Sequence, residues 1–142
     1  MTDPQSNNYK WFVLAILTLV YAFNFIDRQI LVILQEPIKA ELGLSDTQLG
    51  LLTGFSFAVV YVTAGIPIAW LADRSNRRNI VAVSLGIWSV MTALSGIVQN
   101  YTQLLLARLG VGLGEAGGSP PSHSMLSDYF PEEQRGTALS IY

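Results

Sequence analysis

The sequence predicts an all-helical integral membrane protein, and three observations support this fold class. Its 142 residues are 51% hydrophobic and only 13% charged, whereas soluble domains carry about 25% charged residues. Its mean hydropathy is +0.40, and its uncharged runs are long enough to cross about 30 Å of hydrocarbon as helices. The basic residues between these runs fall mostly on one side, which is typical of helices with a fixed orientation in a bilayer.

The first predicted span covers about residues 11–34. Lys10 precedes it, and residues 11–26 carry no charge. The run is too long for the apolar core of a signal peptide, no small-residue cleavage site follows it, and further spans lie downstream. We therefore interpret it as a membrane helix that is interrupted by two charged residues, Asp27 and Arg28.

Three more spans are predicted at about 48–71, 79–98 and 102–119. The last two share an uncharged stretch, 79–107, which is too long for one span and is divided by the polar residues 99–103. Pro120 and Pro121 predict a kink or break at the end of the fourth span, because proline lacks an amide donor and disfavours helix in the preceding residue. An acidic loop at about 128–135 is expected next, followed by the start of a fifth span from 136.

The short loops predict the orientation. Five basic residues fall on one side of the membrane, and Lys39 alone falls on the other; the five are Lys10, Arg74, Arg77, Arg78 and Arg135. Because basic loops remain in the cytoplasm, the amino terminus is predicted to be cytoplasmic. A net charge of −2 argues against a nucleic-acid partner. With no Cys and one His, we expect neither a metal site nor a cofactor.

Four ionisable residues lie inside the predicted spans, and their charges sum to zero: Asp27, Arg28, Arg108 and Glu115. Charge within a membrane is costly and usually functional, so we interpret these residues as a site for a solute or a proton. The alternative is that they form static pairs that only stabilise helix contacts.

Two polar stripes contain three of these four charges. Tyr21, Asn24 and Arg28 follow the spacing i, i+3, i+7, and Arg108, Gly112 and Glu115 repeat it. Residues at this spacing share one face of a helix, so each stripe is expected to face protein or water and not lipid. Glycines at four-residue spacing are expected to allow close helix packing and not to cradle phosphate; they are Gly50, Gly54, Gly110, Gly114 and Gly118. His123 is expected in a loop or at a helix end.

The loop between the second and third spans carries Asp73, Arg74, Arg77 and Arg78. Taken as chemistry alone, it is a basic cytoplasmic loop that anchors the topology. It also resembles the major facilitator signature Gly-x-Leu-Ala-Asp-Arg-x-Gly-Arg-Arg, with Ala69 and Asn76 in place of two glycines. Asparagine is the residue that best replaces glycine in a left-handed turn, so we expect the loop geometry to survive.

Two further segments resemble the Spinster-like branch of that superfamily. They are Asn24-Phe25-Ile26-Asp27-Arg28 and the fourth-span stretch 108–116. The resemblance implies a fold of twelve spans in two six-helix halves, of which residues 1–142 would form the amino-terminal part, with four full spans and the start of a fifth. It ties Asp27, Arg28 and Glu115 to proton coupling and substrate handling, and Asp73 to holding the outward-facing state.

The predicted function is therefore secondary transport by alternating access, as a symporter or antiporter coupled to protons, of an amphiphilic lipid-like or organic-anion solute. The partners would be that solute, H⁺, the lipid bilayer and the missing carboxy-terminal half. The protein would be located in a plasma membrane, which for a bacterium is the inner membrane. Sugar-acid anion:cation symporters share similar motifs and remain an alternative, as does a truncated protein that does not transport. An intramembrane enzyme is not expected, because no HExxH-type or triad-like motif is present. We expect a fragment, and the genomic sequence after Tyr142 would test this.

Overall fold

The computed structural model describes the backbone of residues 4–142 and the side chains of residues 7–142, and all regular structure in this part of the chain is helical. The helices are α1 (Pro4–Ile33), α2 (Gln35–Leu42), α3 (Asp46–Gly50), α4 (Ser56–Arg74), α5 (Arg77–Ser95), α6 (Tyr101–Ala116), α7 (Ser119–Tyr129) and α8 (Glu132–Ile141). A π-helical turn, Leu51–Phe55, joins α3 to α4, so that the chain runs as one helix over Asp46–Arg74.

Three helical stretches of the described chain are long and apolar enough to cross a membrane: Asn7–Ile33, Asp46–Arg74 and Arg77–Ser95. The helix of the fourth predicted span, α6, has only 16 residues. At 1.5 Å per residue it reaches about 24 Å, which is shorter than the hydrocarbon layer. The predicted span of 102–119 would therefore need the first residues of α7 to complete it.

Polar residues mark the helix starts. Ser45 accepts a hydrogen bond from the backbone N–H of Gln48, and the Gln48 side chain accepts one from the backbone N–H of Ser45, so the two form a capping box before α3. At the starts of α5 and α6, the side chains of Asn76 and Asn100 accept hydrogen bonds from the backbone N–H groups of Arg78 and Gln103. These oxygens satisfy amide groups that have no partner within the helix. Gly43 ends α2 with a φ of 64°, which glycine adopts without strain.

The predicted break after the fourth span is confirmed. Helix α6 ends at Ala116, and α7 begins at Ser119 after a two-residue turn. Pro120 and Pro121 lie in the first turn of α7, where a missing amide costs no hydrogen bond. His123 lies within α7, so its expected place in a loop or at a helix end is wrong. Its ring packs edge-to-face against Tyr142, with 5.0 Å between the centroids.

The expected acidic loop at 128–135 is also wrong. Helix α7 runs to Tyr129 and α8 starts at Glu132, so that only two residues separate them. Glu132 and Glu133 occupy the first turn of α8, where carboxylates are stabilised by the exposed amides of the helix start. Arg135 of α8 donates from Nε to the carbonyl of Phe130 at 3.0 Å, and this hydrogen bond links α8 to the short connection that follows α7. The acidic residues thus begin a helix.

The two ends of the bundle have separate apolar clusters. One contains Leu14, Leu17, Leu126, Phe130 and Ala138, and the other contains Leu44, Leu49, Leu52 and Leu104. At the first end, Lys10 donates to Gln134 at 2.8 Å and Arg77 forms an ion pair with Asp128. At the second end Lys39 pairs with Asp46, whose hydrogen bond raises the pKa of Lys39. The basic loops expected on one side therefore share one end of the structure.

Helix α6 lies at the centre and packs along α4 and α5. A Cβ atom added at Gly114 would stand 2.6 Å from the backbone nitrogen of Trp88, and one at Gly110 would stand 2.5 Å from Cγ of Met91. The packing role expected of these two glycines is confirmed. Gly50 and Gly54 show no such packing within the described chain, because an added Cβ at either would meet nothing within 4 Å.

We predict that Gly114→Ala destabilises the α5–α6 contact. The added methyl group would lie 2.6 Å from the Trp88 nitrogen and 2.9 Å from the Ser84 carbonyl oxygen, so the two backbones must separate. Overpacking of this kind costs about 1–3 kcal/mol. Thermal unfolding in detergent measures the loss. Gly86→Ala is the matched control, because its new methyl group meets nothing within 4 Å. Equal melting temperatures for the two variants would contradict the prediction.

Candidate functional site

The first buried ion pair joins α1 to α6. Arg108 Nη1 lies 3.4 Å from Asp27 Oδ2, and Trp88 Nε1 of α5 donates to the same oxygen at 3.4 Å. Asp27 and Arg108 are 9% and 7% exposed. Because the two charges compensate each other and the indole supplies a further donor, the carboxylate is tolerated inside the bundle.

The second ion pair is shorter and asymmetric. Arg28 Nε and Nη2 lie 2.7 and 2.6 Å from the same oxygen, Oε2 of Glu115. The Glu115 side chain is fully buried, whereas the Arg28 side chain is 44% exposed. The other carboxylate oxygen, Oε1, is buried and has no hydrogen-bond partner among the described residues. One partner is thus covered, and the other is accessible.

The four charges are paired crosswise between the two helices. Asp27 and Arg28 are neighbours and therefore point about 100° apart around α1. Arg108 and Glu115 are seven residues apart on one face of α6, and each meets one of the two neighbours. The structure thus joins the charged residues of both predicted stripes. Each pair is neutral, which lowers the cost of placing charge at this depth.

The other members of the first stripe are not bonded to these pairs. Tyr21 is 46% exposed, and its ring packs against Tyr142 with 5.2 Å between the centroids. Asn24 is half-buried, and its side chain forms no hydrogen bond with the described residues. In the second stripe Gly112 is buried beside Phe57, and an added Cβ would stand 3.4 Å from Cδ2 of that ring, which is an ordinary contact distance.

Sequence reasoning missed three aromatic residues of the site. Trp88 binds Asp27, as described above. Phe57 and Tyr61 of α4 stack on each other with 5.7 Å between the centroids. The guanidinium carbon of Arg28 lies 4.8 Å from the Phe57 centroid and 5.5 Å from the Tyr61 centroid. The i, i+4 spacing of the two rings was the available signal, since it places them side by side on one helix face.

The loop predicted to control conformation lies at the end of the bundle that holds the basic residues. Arg77 forms an ion pair with Asp128, Arg74 lies 3.8 Å from the Trp70 ring centroid, and Asp73 is exposed without an ion pair in the described chain. Arg78 donates its backbone N–H to the Asn76 side chain at 3.1 Å. The left-handed turn expected at Asn76 is wrong: its φ of −70° is that of an ordinary helix cap.

No three side chains of His, Cys, Asp or Glu come together as metal ligands among the described residues. The polar chemistry of the site therefore consists of carboxylates, guanidinium groups and aromatic rings. Such a set can bind an anion through an arginine and can bind or release a proton through a carboxylate.

Comparison with known proteins places this geometry in context. The Major Facilitator Superfamily profile matches residues 17–142. An MFS-type efflux pump of Mycolicibacterium smegmatis is 41% identical over 98% of this chain and 32% of its own length. A probable L-galactonate transporter of Escherichia coli K12 is 35% identical over 90% of this chain and 28% of its own.

A solved structure resembles the whole chain. It is a bacterial homolog of the human lysosomal transporter Spinster, in an inward-facing and unoccupied conformation. The two share 45% sequence identity with a TM-score of 0.91, over 100% of this chain and 29% of the solved one. The chain thus spans about a third of the length of the relatives that it matches.

Proposed function

The chain belongs to the Major Facilitator Superfamily, and from this premise we propose that the whole protein is a secondary transporter that works by alternating access. We further propose that it is coupled to protons and moves an amphiphilic lipid-like or organic-anion solute across a bacterial inner membrane. A second six-helix half would complete the solute cavity, since the relatives are about three times as long as this chain. This is a family of transporters and not of enzymes.

The Arg28–Glu115 pair is the observation that carries the proposal. Arg28 is 44% exposed and already presents two of its nitrogens to a carboxylate. A solute that bears a carboxylate, phosphate or sulfate group can therefore compete with Glu115 for the same guanidinium. Once its cation is taken, the buried Glu115 carboxylate is without compensation, and protonation removes that cost. Solute binding and proton binding would thus be linked through one arginine.

The sugar-acid alternative remains as a second candidate. It is favoured by the similarity to the probable L-galactonate transporter, at 35% identity. A sugar acid carries the same carboxylate that Arg28 would bind, but it lacks an apolar chain. The identity to the Spinster homolog is higher, at 45%, and we therefore propose first the amphiphilic solute that we expect of a Spinster-like transporter.

Uptake by proteoliposomes tests the function. The purified whole protein is reconstituted, a pH gradient is imposed, and entry of a labelled lysophospholipid or hexonate is followed against protein-free vesicles. Gradient-dependent movement of the lysophospholipid supports the first proposal, and movement of the hexonate alone supports the second. If a folded, reconstituted protein moves neither amphiphile nor organic anion, the proposed function is wrong.

We propose that the loop of Asp73 stabilises one access state. Asp73 is exposed and has no ion pair in the described chain, so its carboxylate is available to helices that pack against this end. Arg77 is already bound to Asp128 on α7 and would hold the loop in place. On this basis Asp73 contributes to cycling between states, and not to solute affinity.

The amino terminus is predicted to be cytoplasmic, as the basic loops require. Ser75 and Gln99 lie at opposite ends of α5 and are both exposed. In a cysteine-free background, Ser75→Cys should resist an impermeant maleimide added to intact cells, whereas Gln99→Cys should react. Permeabilised cells, in which both must react, are the control. Labelling at 75 and not at 99 would reverse the orientation.

A further inference from the structure

We propose that Phe57 and Tyr61 are positioning residues that form an aromatic platform for Arg28 and hold its guanidinium group against Glu115. The proposal rests on the proposed role of the Arg28–Glu115 pair and adds to it the part that keeps the pair assembled. Neither ring carries a charge, and neither forms a hydrogen bond with Glu115 among the described residues, so the effect that we propose on this carboxylate passes through Arg28.

The geometry fits a platform. The guanidinium carbon of Arg28 lies 4.8 and 5.5 Å from the centroids of Phe57 and Tyr61, within the range of about 6 Å over which a cation is attracted to a ring face. The two rings are stacked on each other, with 24° between their planes. Gly112 of α6 lies beside Phe57, and a Cβ added there would stand at an ordinary contact distance, 3.4 Å, from Cδ2 of the ring.

Arg28 needs such support because it is half-exposed. A free arginine side chain samples many rotamers, and fixing it costs conformational entropy. Water can also compete for its donors, since 44% of the side chain is accessible. A planar guanidinium that lies on two rings loses less freedom when its edge binds a carboxylate. The platform thus favours the one arrangement in which Nε and Nη2 both reach Glu115.

The platform also determines how a solute can approach. One edge of the guanidinium binds Glu115, and one face lies towards the rings. The remaining edge is where an anionic group would first meet Arg28 before it competes with Glu115 for the guanidinium. An apolar chain attached to that group would then run beside Phe57 and Tyr61, which are themselves only half-buried. This arrangement suits an amphiphile with an anionic head better than a wholly polar sugar acid.

Carbodiimide labelling tests the platform without any solute. Dicyclohexylcarbodiimide modifies a buried carboxyl group that is protonated and not engaged by a cation, and mass spectrometry quantifies the product at Glu115. At one fixed pH, in detergent, Phe57→Leu in the whole protein should speed the reaction about two- to fivefold, which is the factor that corresponds to losing a cation–ring contact at a partly exposed site. Tyr61→Leu should act in the same direction, and Phe57→Trp should keep the rate near that of the parent.

The controls separate positioning from packing. Phe55→Leu makes the same change two residues earlier, where the ring is 66% exposed, and should leave the rate unchanged. In an Arg28→Gln background labelling should already be fast, and Phe57→Leu should add nothing. If Phe57→Leu has no effect, or accelerates labelling equally without Arg28, the proposal is wrong. Because the assay needs no transport, its outcome is independent of whether the proposed function holds.

Discussion

Glu115→Gln is expected to abolish uphill, pH-gradient-driven transport by the whole protein while leaving the exchange of solute intact. Glutamine keeps the size of the side chain and still accepts a hydrogen bond from Arg28, but it cannot gain or lose a proton. The variant therefore resembles the protonated state permanently, and a proton gradient can no longer favour one direction. Uptake in proteoliposomes with an imposed gradient should fall to the level of protein-free vesicles, and counterflow without a gradient should continue.

A matched control is available at the surface. Glu133→Gln makes the same chemical change in the first turn of α8, where the side chain is exposed and has no ion pair in the described chain. It should transport at the rate of the parent. If Glu115→Gln keeps full dependence on the gradient, Glu115 only packs and pairs, and Asp27 becomes the better candidate for the proton site.

The sequence was sufficient to find the charged residues of the site but not their pairing. Asp27, Arg28, Arg108 and Glu115 are conspicuous because they interrupt uncharged runs. Which acid pairs with which base depends on how α1 is rotated about its axis relative to α6. The periodicity of each helix in the sequence does not predict that rotation. The crosswise pairing, with Asp27 on Arg108 and Arg28 on Glu115, is therefore visible only in the folded structure.

The helical class was predicted from composition, whereas several boundaries were not. The acidic stretch that begins at Asp128 predicts a loop. In the structure a helix begins there: Pro131 precedes α8, and Glu132 and Glu133 occupy its first turn. Gly50 and Gly54 have the spacing of a packing motif but meet no neighbour in the described chain, since spacing alone does not say which face is covered.

The aromatic contribution was missed for a different reason. Phe57 and Tyr61 lie among many other apolar residues of the same helix, so their residue types do not distinguish them from their neighbours. Their importance comes from Arg28, which is distant in sequence and reaches them only through the packing of α1, α4 and α6. The same holds for Trp88, because its indole N–H donates to Asp27, which is also distant in sequence.

Arg108→Leu is expected to be strongly destabilising, with a loss of about 3–5 kcal/mol, because it leaves a buried carboxylate without its cation. Asp27 is 9% exposed, and the Trp88 indole at 3.4 Å would be its only remaining donor in the described chain. Unfolding of the purified protein, induced by titrating a denaturing detergent into a mild one, measures the change. Arg78→Leu, which removes an exposed arginine that has no ion pair in the described chain, should cost little.

The double variant Asp27→Asn/Arg108→Gln shows whether charge is the cause. It removes both charges and keeps groups that can hydrogen-bond to each other and to Trp88. Because the penalty comes from an uncompensated charge and not from the loss of the pair itself, the double variant should recover most of the stability lost in Arg108→Leu. If it is as unstable as the single variant, the aliphatic stem of Arg108 matters for packing and its charge does not. Recovered stability without recovered transport would indicate that this pair also has a role in function.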